Sequence, residues 1–130
     1  MEEIYDSDIE CIERSSPRYP RRLQNYAGMP RKLYVCGDLP RDDQPTVAIV
    51  GARMCSTYGS RQAFYFGREL SKAGVQVISG LALGIDGRAH SGALEGGTAT
   101  FAVLGSGVDV CYPRQHRDLY RQVWQSGGLI

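Results

Sequence analysis

The chain has 130 residues, 42% of them hydrophobic and 22% charged, proportions that exclude a disordered or fibrous polymer and fit one globular domain. Its net charge of +1 is too small to identify a polyanion binder by its total, so the placement of the charges has to decide. Four cysteines without a C-x-x-C pair exclude a zinc knuckle or a dithiol redox motif, and an acidic N-terminus with no long apolar run excludes a signal peptide and a membrane span, so the cytoplasm is the expected compartment.

Residues 1–16 form an acidic N-terminal segment, with Glu2, Glu3, Asp6, Asp8, Glu10 and Glu13 and no base before Arg14. Residues 17–45 read as a sheet-extending segment. Pro17, Pro20, Pro30 and Pro40 break helices there, and residues 32–36 have the pattern of a short strand ending in the turn Gly37-Asp38. From residue 46 a strand, loop and helix rhythm sets in. Strands are expected at 46–50, 75–79 and 98–104, each an apolar or β-branched run followed by glycine, and residues 128–130 open a fourth. Helices are expected at 59–73, on the spacing of Ala63, Phe66, Gly67 and Leu70, at 86–95 and at 114–125. A unit of about 25 to 30 residues is what a right-handed βαβ crossover takes, and near-continuous apolar strands suit a parallel sheet. Residues 46–130 therefore predict a Rossmann-like, doubly wound, mainly parallel α/β sheet, incomplete on its C-terminal side.

In such a sheet ligands bind beyond the carboxyl ends of the strands, so the loops there carry the function. Twelve of the sixteen glycines fall between Gly51 and Gly107, and six of these twelve stand in three loops, 51–59, 79–86 and 105–114. Glycine lets backbone N–H groups converge on an anion, and a following helix adds its positive end. Gly51, Gly59, Ser79, Gly80, Gly84, Gly105, Ser106 and Gly107 are the expected cradle of a phosphate. Arg53 is placed to close over it, with Ser56, Thr57 and Tyr58 as neutral donors and Arg114 on the third loop. Thirteen of the fifteen cationic residues are arginine, the side chain suited to forked phosphate contacts. The competing reading of Arg53 is a surface ion pair, and that of Tyr58 is packing instead of base stacking.

Other chemistries have weaker support. Gly105-Ser-Gly107 has Val110 at the third glycine position of a dinucleotide fingerprint, and no Gly-Lys-Ser/Thr of a P-loop follows Gly51, so no cofactor is expected. Asp86 opens a helix and reads as its N-cap, with a place in the anion site as the alternative. His90 and His116 lack the spaced partners of a metal site, and no nucleophile accompanies Asp86 and His90, so neither metal nor catalysis is expected.

The strings Val47-Ala-Ile-Val-Gly-Ala-Arg53, Ser79-Gly-Leu-Ala-Leu-Gly-Ile-Asp86 and Ala102-Val-Leu-Gly-Ser-Gly-Val-Asp109, with Tyr112-Pro113 and, earlier, Leu33-Tyr-Val-Cys-Gly-Asp38, keep the order and spacing of one known family. Over roughly residues 17–130 the chain resembles the DprA/Smf family of DNA-processing proteins. The resemblance implies a Rossmann-like core that binds single-stranded DNA without catalysing a reaction. It also implies a homodimer in the full-length protein and delivery of the strand to the RecA recombinase in natural transformation. It puts Arg53 in the DNA pocket, with Ala52 where a hydroxyl residue is common. The alternative is a nucleotide-binding or phosphoribohydrolase-like protein of the same fold, whose motif only Glu95-Gly-Gly-Thr98 faintly matches.

Overall fold

A computed structural model of the chain describes residues 4–130, so Glu2 and Glu3 of the acidic segment lie outside the described residues. Six strands form one mixed sheet in the order β1-β2-β6-β5-β4-β3. The strands are β1 (Ile9–Glu13), β2 (Lys32–Gly37), β3 (Thr46–Ala48), β4 (Gln76–Ser79), β5 (Thr100–Ala102) and β6 (Gly128–Leu129). The last four run parallel, whereas β2 is antiparallel to both β1 and β6. The helices are a single turn α1 (Arg21–Gln24), then α2 (Thr57–Lys72), α3 (Ile85–Gly96) and α4 (Arg117–Ser126). Among the described residues no helix is long and apolar enough to cross a membrane.

Each crossover from β3 to β6 moves one strand along the sheet in the same direction. Right-handed connections then put α2, α3 and α4 on one face, and the side chains agree. Val77 and Thr100 are register partners, and Ala102 follows two residues later, so all three share a face. Val77 packs with Ala89 and Ala93 of α3 and Leu70 of α2, while Ala102 packs with Tyr120 and Val123 of α4. The parallel strands are thus one wing of a doubly wound sheet. The opposite face is covered by the proline-rich segment, where buried Tyr19 joins Ile12, Leu33 and Val35, with Leu23, Leu39 and Ile130 against them.

Local chemistry sets the boundaries. The Ser56 hydroxyl accepts the Gly59 N–H at 3.0 Å and caps α2. That helix crosses α3 at very short range: a β-carbon on Gly92 would lie 2.1 Å from the Phe64 carbonyl oxygen, and one on Gly67 2.4 Å from that of Ala89. Gln76, fully buried at the start of β4, holds the approach to β3 by accepting from the Arg41 N–H at 2.7 Å and donating to the Arg41 carbonyl at 3.0 Å.

Candidate functional site

The loops leaving β3, β4 and β5 meet at one rim, where they enclose a cavity of about 340 Å3. Arg53 from the first loop, Gly80, Ala82 and Leu83 from the second, and Leu104, Gly105, Ser106, Tyr112 and Pro113 from the third line it. Among the described residues, Arg53 brings the only formal charge to that lining, and its guanidinium has no hydrogen bond or ion pair. An exposed cation in a concave, otherwise neutral surface is an arrangement for an anionic ligand.

The convergence is built by contacts the sequence does not display. Gly84, at φ +79, stands where a β-carbon would strike the Ala52 and Arg53 carbonyl oxygens at 2.3 and 2.4 Å, so the second loop lies directly on the backbone that carries Arg53. The Ile85 N–H donates to the Ala52 carbonyl at 3.2 Å across the same junction. His116 ties the third loop to the second. Its Nδ1 sits 2.8 Å from the Leu81 carbonyl, which can only accept, so Nδ1 carries the proton. Leu81 is buried in the left-handed region at φ 58, a conformation that costs a non-glycine residue about 1–2 kcal/mol and needs such a hold. The His116 ring fits because Gly87 has no β-carbon, which would lie 2.4 Å from it. Below the third loop, the buried Tyr120 hydroxyl donates to the Val108 carbonyl.

Asp86 does not cap α3, whose N-cap is Gly84 without a side-chain bond. Its buried carboxylate instead accepts the Gly80 N–H at 3.0 Å and the Gly51 N–H at 3.3 Å, fastening the ends of β3 and β4 together. These two amides therefore point inward to Asp86 and are not free for a phosphate. Ser79 is likewise occupied, donating to the Ile49 carbonyl at 2.5 Å. Ser56 and Gly59 spend their groups on the α2 cap, and Thr57 and exposed Tyr58 lie on the first turn of α2, away from the cavity lining. Gly107 sits in a turn closed by the Val110 N–H to its carbonyl at 2.9 Å, and Arg114 lines a neighbouring hollow. Of the expected residues, Arg53, Gly80, Gly105 and Ser106 reach the cavity directly. Tyr112, the aromatic ring at its edge, was legible only as part of the Tyr112-Pro113 string.

Comparison with known proteins decides the family. The family model described as DNA recombination-mediator protein A matches residues 10–130. The chain belongs to that family. Smf of Synechocystis is 39% identical over the whole chain and 34% of its own length, and Smf of Escherichia coli is 38% identical over 92% of the chain and 32% of its length. The chain thus spans about a third of the length of these curated relatives. Solved structures of DNA processing protein A superpose closely. That from Helicobacter pylori, studied for its mode of single-stranded DNA binding, has a TM-score of 0.80 at 30% identity over 93% of this chain and 54% of its own. That from Streptococcus pneumoniae has 0.82 at 31% over 93% and 42%. The Rossmann-like α/β fold and the membership of this family are therefore established. Glu95-Gly-Gly-Thr98, the faint phosphoribohydrolase-like string, ends α3 and so lies at the opposite end of the sheet from the rim cavity.

Proposed function

We propose that this protein binds single-stranded DNA at the rim cavity, with the Arg53 guanidinium on a phosphate and the Tyr112 ring against a base. The observation that carries the reading is the lining itself: three loops supply neutral backbone, one unpaired arginine and one exposed aromatic. Base stacking on such a ring contributes about 1–3 kcal/mol and does not depend on sequence. As a recombination mediator of DNA processing and natural transformation, the protein would hand the strand to the RecA recombinase in the cytoplasm, acting as a homodimer in full length and catalysing no reaction itself. Supporting this over a nucleotide-processing enzyme is the engagement of Asp86, whose carboxylate holds the cavity-lining Gly80, in two backbone bonds.

Fluorescence anisotropy with labelled oligo-dT across a salt series tests the site. For single strands log K falls with log salt by about 0.7 per phosphate neutralised. Arg53→Ala is expected to weaken binding for every sequence and to lower that slope by about 0.7. Equal affinity and slope for parent and variant would remove Arg53 from the interface.

A further inference from the structure

Arg114 lies in the short 3₁₀ turn Arg114–His116, and Arg117 begins α4. The two line a hollow of about 310 Å3 with Cys111. Between Cys111 and Arg114 in the chain stand Tyr112 and Pro113, which line the Arg53 cavity, so one turn of backbone has a hollow on each side. Both guanidinium groups are exposed, and neither has a hydrogen bond or ion pair among the described residues.

The local field works against this arrangement. Two cations share one hollow, and they do so at the positive end of the α4 dipole, where a carboxylate is the favoured residue. Asp118, in the first turn, does not neutralise them: it is exposed and its carboxylate lies 3.9 Å from Arg121, a turn further on. An anion bound between the arginines would reverse both repulsions, and each planar fork can meet two oxygens of one phosphate.

We propose that Arg114 and Arg117 form a second phosphate subsite, which holds the nucleotide adjacent to the one at Arg53 while the strand crosses the exposed Tyr112 ring. The proposal rests on the single-stranded DNA reading of the Arg53 cavity and extends it by a direction: the strand runs from the second loop over the Tyr112–Pro113 turn toward the start of α4. Cys111, partly exposed, reports on the hollow from within it.

The test uses the full chain, the double variant Arg114→Gln/Arg117→Gln, and Arg53→Ala, with oligo-dT of roughly fifteen nucleotides. Two readouts are needed: the salt slope of binding, and iodoacetamide labelling of Cys111 followed by peptide mass mapping. The double variant is expected to lower the slope by about 0.7, one phosphate's worth. Oligo-dT is expected to protect Cys111 in the parent and to leave it open in the double variant at equal occupancy. Parent slope and parent protection in the double variant would overturn the second subsite while leaving the first. Loss of binding in the double variant with none in Arg53→Ala would keep the second subsite and remove the first. No binding of oligo-dT by the parent would defeat both.

Discussion

At the scale of single residues, His90 shows how a buried polar group can be fixed by its neighbours. Thr100 has one hydroxyl proton, which it donates to the Val77 carbonyl at 2.7 Å, so its oxygen accepts from His90 Nδ1 at 2.9 Å. The proton is thereby assigned to Nδ1, and Nε2 is a buried lone pair without a hydrogen-bond partner. Burial, and secondly the proximity of His116, pushes the His90 pKa down to about 3. The unfolded chain, with an ordinary histidine near 6.5, takes up a proton that the folded chain refuses. The His90 contribution to stability is therefore complete above about pH 6.5 and is lost as pH falls toward 3, by about 1.4 kcal/mol per pH unit once well below 6.5. Urea unfolding is expected to show the parent losing about 2 kcal/mol more than His90→Gln between pH 7 and pH 5. Parallel pH profiles for the two proteins would contradict this. Neither this pairing nor the Asp86 bridge could be read in the sequence, because each contact joins residues whose proximity only the fold creates. The place of Arg53 at the rim cavity could be read, because it follows from a position just beyond a strand.

At the scale of elements, what was legible was what repeats. β3 to β6 and the three long helices follow from apolar strands and 3.6-residue spacing, and their observed ranges fall within or close to the expected ones. β1 was hidden inside the acidic segment because its two isoleucines serve opposite faces: Ile9 packs toward α4 and Ile12 packs under Tyr19, so no alternation marks the strand. The α2–α3 crossing was equally invisible, since its small residues lower the apolar signal while allowing the close approach. At Gly92 two physical effects oppose each other. Alanine is the better helix former by about 1 kcal/mol, but its β-carbon would meet the Phe64 carbonyl oxygen at 2.1 Å, a backbone clash that no rotamer relieves. Overpacking costs about 1–3 kcal/mol, and with backbone on both sides the upper part of that range applies. Gly92→Ala is expected to destabilise the chain by about 1–2 kcal/mol, read from the urea midpoint at unchanged m-value. A midpoint shifted upward would mean that the helices separate at little cost.

At the scale of the whole molecule, the question is whether residues 46–130 form an independent core, with 1–16 and 17–45 as additions, or whether the sheet is indivisible. The strand order argues for the second. β6 is only two residues long and is held between β5 and β2, so removing the first 45 residues turns it into an unsupported edge. The same removal takes Cys36 out of the cluster around Ala102, Val123 and Leu129, and takes Tyr19 and Leu39 from the cluster that Ile130 joins. Phe101, almost fully buried on the face away from the long helices, shares the hollow lined by Pro17, Leu39 and Pro40 and would be left to water. Burying a phenylalanine contributes about 1.5–3 kcal/mol, and the Gln76 amide would lose its Arg41 and Gln44 partners besides. Summed against a net stability of about 5–15 kcal/mol for a small domain, these losses are of the order of the whole. The full chain is accordingly expected to unfold in one transition, coincident by far-ultraviolet circular dichroism and by the fluorescence of its single tryptophan, Trp124. A fragment of residues 46–130 is expected to show no cooperative transition by either probe. If the fragment instead melted cooperatively, the proline-rich segment would be an attachment to a self-sufficient core, and the rim cavity would owe nothing to it.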